Sequence, residues 1–273
     1  MEVWQSHYQD AHHDLDCIIE NHYKENDTEQ PLKMEIDGVT FWGSGLDDWE
    51  LSTTESKSAV ADIAKRFTLF QYGSKEEGYH YWLQSYRHQI KIPTRVFSLS
   101  LQKVCPAELE IVLSSQHTEN PHSIFKLDGE KVEPNTTVCE KFALIIADQC
   151  FKAAAPSELF EVSLQSICRQ IAGKYYLYNC FGCLYSDYSP YGQGNLGNLC
   201  CFAANREKYL KVYSKYEGEY TIWDAFEDGF SQCQETDVCD EFTPRINCLG
   251  GYRGGIYEPE MRPSGEKKDK KKT

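Results

Sequence analysis

The sequence lacks a long apolar run and an apolar leader. Its longest uninterrupted apolar segment is residues 142–147 (FALIIA), far short of the roughly 20 residues that a membrane-spanning helix needs. The first residues, MEVWQSHYQDAHHDLD, contain neither the basic region nor the apolar region of a secretory signal. We therefore expect a cytoplasmic protein.

Histidine is missing from the second half of the chain, where cysteine is abundant. All 8 histidines precede residue 123, so a cysteine–histidine nucleophile is not expected in the second half. Without a secretory signal, a chain of 273 residues does not need a disulfide framework. Dense thiols then favour metal binding or redox chemistry. Of the 12 cysteines, seven lie between residues 180 and 248: Cys180, Cys183, Cys200, Cys201, Cys233, Cys239 and Cys248.

Basic residues are also few. The chain has 28 Lys and Arg against 42 Asp and Glu, a net charge of −14. The last eight residues (EKKDKKKT) carry +3, so residues 1–265 carry −17. Such a surface repels phosphate backbones and anionic lipids, which disfavours binding to nucleic acid or membranes. It attracts basic protein partners, although the acidity would also serve solubility alone.

The first 150 residues have the pattern of short strands and turns. Residues 32–43 (LKMEIDGVTFWG) predict a hairpin with its turn at Asp37-Gly38. Residues 95–102 and 108–115 alternate with period two, which predicts two more strands. We expect residues 1–30, which are polar and irregular, to form a loosely held arm or edge segment.

The second half changes character. A helix is predicted from Pro156 to about Gln170, and Gly173 is a suitable C-terminal cap. A strand over 174–180 and a short helix over 205–215 with Asn205 as its cap are also expected.

The predicted fold class is therefore α+β. The chain divides into a β-rich, sandwich-like region (1–150), an α+β region with a cysteine cluster and a zinc-knuckle-like loop (151–260), and a basic disordered tail (261–273). The boundary near residue 150 is soft, and the first two regions could share one domain.

The Cys180-Phe-Gly-Cys183 sequence is the strongest chemical signal. Two thiolates at this spacing on a tight turn can occupy adjacent corners of a tetrahedron around Zn²⁺. The other two ligands must come from elsewhere, and the candidates are Cys200 or Cys201 together with Cys233 or Cys239. We prefer Cys201 to Cys200, because Asn198-Leu199 would continue the loop before it. An all-cysteine site leaves no open coordination position, so the zinc would be structural.

Other interpretations of these motifs remain open. The CxxC pair could be redox-active, or its thiols could simply be buried. Residues 192–197 match GxGxxG, but the strand and helix of a dinucleotide site are missing, so a packed glycine-rich loop is favoured. The acidic clusters at 47–50 and 235–241 predict solvated surface or a docking patch for a basic partner.

The segment CFGCLYSDYSPYGQGNLGNLCCF, with NREKYLKVY, QETDVCDEF and GGYRGG after it, resembles a bacterial family of uncharacterised proteins with a CxxCxxSDYSPxG motif. The resemblance covers residues 158–255. It implies a strand-rich front and a helix before the motif. The resemblance also implies that one structural zinc ion is held by Cys180, Cys183, Cys201 and Cys239, with Cys200, Cys233 and Cys248 as extra cysteines of this member that could replace a ligand. The other positions that the family pattern marks are Asp187, Pro190, Gly192, Arg253 and Gly254. Some acidic bacterial proteins of this kind are similar to immunity proteins of toxin systems.

Three functions follow as hypotheses. The leading one is a non-enzymatic, zinc-stapled protein that binds a basic protein, for example as an immunity protein. The first alternative is an enzyme of unassigned class that uses the acidic clusters, or Asp187 and Arg253, beside the cysteine loop. The second is a thiol redox protein that cycles Cys180 and Cys183. No residue triplet presents a nucleophile, a base and an orienting group, so no catalytic residue is assigned.

Overall fold

One large antiparallel sheet organises the fold. The computed structural model describes residues 1–24, 30–52, 57–74, 78–117, 125–127, 130–132, 135–157, 159–191, 196–246, 253 and 255–257. Its first fourteen strands are β1 (Glu2–Gln9), β2 (Asp14–Asn21), β3 (Leu32–Ile36), β4 (Val39–Gly43), β5 (Glu50–Leu51), β6 (Thr68–Ser74), β7 (Gly78–Gln84), β8 (Arg87–Ser98), β9 (Lys103–His117), β10 (Phe125–Leu127), β11 (Glu130–Val132), β12 (Asn135–Ile146), β13 (Gln149–Lys152) and β14 (Tyr175–Leu177).

Twelve of these strands pair in the order β13-β12-β9-β8-β1-β2-β3-β4-β5-β7-β6, with β14 added to β8. Strands β10 and β11 form a separate hairpin. The prediction of a strand-rich first half is confirmed, and its main strands form one continuous sheet. Short hairpin connections explain the pairing of strands that follow each other in the chain, such as β1 with β2 and β8 with β9, since hairpins join antiparallel strands with few residues.

The expectation of a loose N-terminal arm is wrong. Strand β1 lies inside the sheet, between β2 and β8. Trp4 and Tyr8 are fully buried, and Ser6 between them is nearly so. The intervening His7 faces outward and contacts the carboxylates of β2. The polar appearance of this segment is one face of a strand whose other face belongs to the core.

The predicted hairpin at Asp37-Gly38 is confirmed. Strands β3 and β4 pair with Ile36 opposite Val39. Both turn residues have positive φ, 48° at Asp37 and 72° at Gly38. This is the backbone that two-residue hairpins prefer and that Asp-Gly supplies at low cost. The helix that follows is α1 (Lys57–Ile63).

Helix α2 (Phe160–Ile171) covers one side of the sheet. It begins later than predicted. The Ser157 amide donates to the Ser163 hydroxyl, which donates to the Ser157 carbonyl, and these two bonds hold Ser157 outside the helix. Phe160 packs edge-on against Phe142 of β12, with 5.1 Å between ring centroids. Gly173 follows the helix with φ +76°, as its predicted role requires.

A small second sheet builds the C-terminal part. It consists of β15 (Ser186–Tyr188), β16 (Leu199–Cys201) and β17 (Ser231–Cys233). After a 3-10 turn (Ala203–Asn205), helices α3 (Arg206–Tyr209) and α4 (Ile222–Glu227) pack against it. Their buried side chains form a cluster of their own: Cys200, Phe202, Tyr209, Val212, Ile222 and Ala225.

The helix predicted over 205–215 is therefore shorter than expected. Asn205 stands at the N-cap position of α3, but its side chain makes no capping hydrogen bond. The side-chain nitrogen Nδ2 donates instead to the carbonyls of Ala225 and Gly229. The main core cluster runs from Trp4 to Ile256 and includes buried residues of both halves. Across the described ranges, no helix is long and apolar enough to cross a membrane.

Candidate metal centre

The CxxC sequence forms a tight turn after β14. The Cys183 amide donates to the Cys180 carbonyl at 3.1 Å. The Gly182 amide donates to the buried side chain of Asn179, which in turn donates to Thr94 Oγ1 of β8 at 2.9 Å. These bonds anchor the turn on the large sheet, so both thiols project from a backbone held in one position.

Glycine is required between the two thiols. A Cβ at Gly182 would lie 2.2 Å from the Leu177 carbonyl oxygen. That oxygen belongs to the backbone of β14 and cannot move without disturbing the strand. Close packing therefore requires glycine at position 182.

Gly182→Ala is expected to lower the free energy of unfolding by about 3 kcal/mol or more, as overpacking against backbone does at its upper range. Urea denaturation measures the effect. Gly229→Ala is the control, because nothing lies within 4 Å of its Cβ and only its positive φ opposes the change. Its expected cost is about 1 kcal/mol. Equal costs for the two substitutions would contradict the packing argument.

Cys201 approaches the turn through the second sheet. In β16 it pairs with Ser186 of β15. The Ser186 hydroxyl donates to the carbonyls of Cys180, at 2.5 Å, and Cys183, at 3.1 Å. One serine thus connects the strand pair that carries Cys201 to the turn that carries the CxxC thiols.

Cys239 approaches from a third segment. The Cys180 amide donates to the Asp237 carbonyl at 2.6 Å, and the Leu184 amide donates to the Thr243 carbonyl at 2.7 Å. Cys183 and Pro244 form an isolated bridge. Residues 237–244 therefore wrap around the CxxC turn, with Cys239 between the two points of attachment.

The pKa shifts of Cys201 and Cys239 indicate that both lie within electrostatic range of the CxxC thiols. Burial raises the pKa of Cys201, and the negative charges of Cys180, Cys183 and Cys239 raise it further. The pKa of Cys239 is raised by burial and by Cys180 and Cys183. A fifth thiol joins them, because contact with Cys180 is the largest cause of the raised pKa of Cys233.

Cys200, the residue before Cys201, lies on the other face of β16. Successive residues of β16 point to opposite faces of its sheet. Cys200 consequently lies in the helical cluster, where burial raises its pKa to about 12. Cys248 lies outside the described residues.

Four free thiols form the candidate donor set for zinc. Cys180 and Cys183 are buried, Cys201 is half-buried and Cys239 is exposed, and all four are free thiols. Four thiolates are the donor set of structural zinc sites. In the part of the chain that the structure describes, however, no group of three or more His, Cys, Asp or Glu side chains is arranged to hold an ion. Coordination of one ion would require the four thiols to draw closer together.

A buried arginine that the sequence did not reveal supports the turn. Arg245 is fully buried. Its guanidinium donates to the carbonyls of Cys183, at 3.1 Å, and Leu184, at 2.9 Å. It also donates to the carbonyl of Ser186 and to the hydroxyl of Tyr209. Burial distinguishes Arg245 from the exposed arginines, and the sequence around it (TPRIN) contains no pattern that would predict this burial.

Asp187 and Arg253, the two residues of the enzyme hypothesis, belong to the same network of hydrogen bonds around the CxxC turn. Asp187 Oδ2 accepts from the Tyr209 hydroxyl at 2.8 Å and from the Arg253 amide at 2.9 Å. The Arg253 guanidinium donates to the Phe181 carbonyl and lies 4.4 Å from the centroid of the Phe181 ring. These contacts hold the CxxC loop against its surroundings. Gly192 and Gly254, also marked by the resemblance, lie outside the described residues.

The acidic cluster at 235–241 is not simply solvated surface, contrary to prediction. Glu235 is fully buried and accepts from the Tyr188 hydroxyl at 2.9 Å and from the Gly197 amide at 2.8 Å. Burial raises its pKa to about 7. Asp237 is nearly buried and pairs with Lys24 at 2.7 Å.

The cluster at 47–50 is likewise partly internal. Glu50 is buried and bonds to His80 and Gln30. Asp48 accepts from the Ser44 and Gly45 amides. Both carboxylates have local structural partners that the sequence did not suggest.

A family of unknown function (DUF6304) has a profile that matches residues 2–186. The chain belongs to that family. The match includes the large sheet, α2 and the CxxC turn, and it stops before Cys201 and Cys239. Membership of an uncharacterised family was expected. The family profile matches the front of the chain, whereas the resemblance had covered residues 158–255. No curated protein and no solved structure matches this family member.

Proposed function

We propose that this protein is a non-enzymatic binding protein whose C-terminal part is held together by a structural zinc ion on Cys180, Cys183, Cys201 and Cys239. The observation that carries the proposal is the meeting of three distant segments at one turn. Their backbones are joined by the hydrogen bonds of Ser186 and Asp237. Four thiolates around one ion leave no position for a substrate, so the metal would stabilise structure.

The zinc would add to contacts that are already present. It would connect the turn after β14, strand β16 and the segment 237–244. Because a cysteine site rarely exists in an unfolded chain, the free energy of metal binding becomes free energy of folding.

The binding role is supported by an exposed aromatic surface, formed by Tyr191, Tyr213, Tyr216, Trp223 and Phe226. Tyr191 and Tyr216 are 77% and 75% exposed. Tyr191 contacts the rings of Trp223 and Phe226 edge-on. Large aromatic side chains are typical of protein interfaces.

The net charge of −14 favours a basic protein as the partner, because opposite charges attract. Neutralisation of a basic toxin, as by an immunity protein, is one form that such binding could take. The same charge opposes nucleic acid and anionic membranes as partners.

Metal analysis by mass spectrometry tests the zinc centre. Protein purified without added metal is expected to contain about one zinc per chain, as a Cys₄ site binds. Cys180→Ser should lose it and unfold at lower temperature. Cys150→Ser is the matched control, since Cys150 is an exposed thiol on β13. Absence of zinc from the wild-type protein, or its retention in Cys180→Ser, would contradict the proposal.

A thiol redox protein is the second candidate, favoured by the contact between Cys180 and Cys233. It predicts metal-free protein in which Cys180 forms a reversible disulfide with Cys183 or Cys233 under mild oxidation. Peptide mapping after oxidation and reduction distinguishes it. Thiols that neither oxidise nor hold metal would exclude both candidates.

A further inference from the structure

Four aromatic side chains of β6 and β7 form an edge patch on the face of the large sheet that points away from the core: Phe70, Tyr72, His80 and Trp82. Phe70 is opposite Trp82 in the strand pairing, and two residues along the strand Tyr72 is opposite His80, so both pairs share one face. The centroid of the Tyr72 ring lies 4.3 Å from that of Trp82 and 4.8 Å from that of His80. Leu83 belongs to the core cluster, so its neighbour Trp82 points the other way, where it is 39% exposed.

A carboxylate lies within the edge patch. Glu50 of β5 is opposite Trp82 in the strand pairing and therefore shares its face. His80 Nδ1 lies 2.5 Å from Glu50 Oε1, and the Tyr72 hydroxyl reaches across β7 to donate to Oε2 at 3.4 Å. Within the part of the chain that the structure describes, no lysine or arginine forms an ion pair with Glu50. Aromatic rings with negative faces beside such a carboxylate favour a cationic group as ligand.

Strand β6 is also an edge of the large sheet. It stands at the end of the strand order and, among the described strands, pairs only with β7. Its sequence, TLFQYGS, contains no proline and no charged residue, which are the usual protection of an edge strand. Strand β13 at the other edge has only four residues and ends with Lys152. Of the two edges, β6 is therefore the one that is suited to accept a further strand.

An extended basic segment would use the edge and the patch together. A segment that pairs with β6 places every second side chain on the face of the edge patch, opposite Phe70 and Tyr72. A guanidinium group stacks on aromatic rings and is attracted by their faces. Because the Tyr72 side chain extends from the edge to Glu50, an arginine that lies along its ring brings its charge towards that carboxylate.

We propose, on the basis of the binding role proposed above, that β6 and the edge patch bind an extended, arginine-bearing segment of a basic protein. The segment adds a strand to β6 through backbone hydrogen bonds, and its arginine side chains stack on the patch. This surface is formed by residues other than those of the exposed aromatic surface around Tyr191 and Tyr216. The net charge of −14 attracts such a segment to the chain.

Fluorescence polarisation with a labelled, blocked hexapeptide of alternating threonine and arginine tests the proposal on the full chain. The peptide is expected to bind. A peptide with citrulline in place of arginine keeps the shape without the charge, and its dissociation constant should be about 10-fold higher or more. Tyr72→Leu and Glu50→Gln should each raise the constant for the arginine peptide about 3- to 10-fold. Amide hydrogen exchange in β6 should slow on binding, because strand addition gives the edge N–H groups partners.

Tyr216→Leu is the matched control, because Tyr216 is an exposed tyrosine of the other aromatic surface. It should leave the constant unchanged. Weaker binding in Tyr216→Leu but not in Tyr72→Leu would overturn the assignment to β6 and support the proposed function at the other surface.

Failure of the arginine peptide to bind, equal binding of the citrulline peptide, or unchanged exchange in β6 would also overturn the proposal. The citrulline comparison uses wild-type protein, so it remains informative if either variant unfolds. Zinc content, measured on the same samples, reports separately on the metal centre.

Discussion

Arg245→Met is expected to lower the free energy of unfolding by about 3 to 5 kcal/mol. The substitution keeps much of the side-chain volume but removes every donor. The carbonyls of Cys183, Leu184 and Ser186 would then remain buried without this partner. Since all three carbonyls belong to the CxxC turn or the strand after it, the loss should fall on the candidate metal centre.

Urea denaturation of wild type and variant measures this loss, and metal content should fall with it if zinc is bound. Arg206→Met provides the matched control, because exposed substitutions usually change stability by less than about 0.5 kcal/mol. Arg245→Lys should be intermediate, since an ammonium group cannot reproduce the planar fork of donors. A loss below about 1 kcal/mol for Arg245→Met would show that the network contributes little.

Acidification from pH 7 to pH 4 is expected to remove about 3 kcal/mol of stability through His88. The imidazole is fully buried, 6.0 Å from the Trp49 ring and 6.1 Å from the Tyr8 ring. Burial lowers its pKa to about 3. An unfolded chain accepts the proton below about pH 6.5, whereas the folded chain resists it until about pH 3. Stability is therefore complete above pH 6.5 and is lost as the pH falls through that window.

Denaturation of wild type and His88→Phe at pH 7, 5 and 4 isolates this contribution from that of the carboxylates. The variant should lose about 3 kcal/mol less than wild type between pH 7 and pH 4, because a phenyl ring suits the same aromatic surroundings. His12→Phe, at an exposed position, should retain the wild-type dependence on pH. Parallel pH profiles for wild type and His88→Phe would contradict a buried neutral histidine.

Several features could be predicted because they depend on neighbours in the chain. The turn at Asp37-Gly38 requires positive φ at two adjacent residues, and Asp-Gly provides it wherever the pair occurs between strands. The role of Gly173 after α2 follows from the same property. The CxxC spacing likewise places two thiols close together in the chain, and Gly182 between them favours the turn that the structure has.

Other features could not be predicted because they depend on distant segments. Glu235 and Asp237 look like solvated acids in the sequence, but the second sheet and Lys24 enclose them. Strand β1 looked irregular because its polar face dominates its composition, and only its position between two strands explains the burial of Trp4 and Tyr8. Burial of a charged group is a property of its surroundings, which sequence composition does not contain.

Composition and local sequence pattern were enough to predict the strand-rich character, the local turns, the acidity and a cysteine pair at the spacing of zinc ligands. Folding brings the segments that carry Cys201 and Cys239 to the CxxC turn through hydrogen bonds, and it directs Cys200 and Cys201 to opposite faces of β16. It also buries Arg245, whose guanidinium supports the turn. The physical reason is range: backbone dihedral preferences act between adjacent residues, whereas burial and thiol contacts arise only when folding joins segments far apart in the chain.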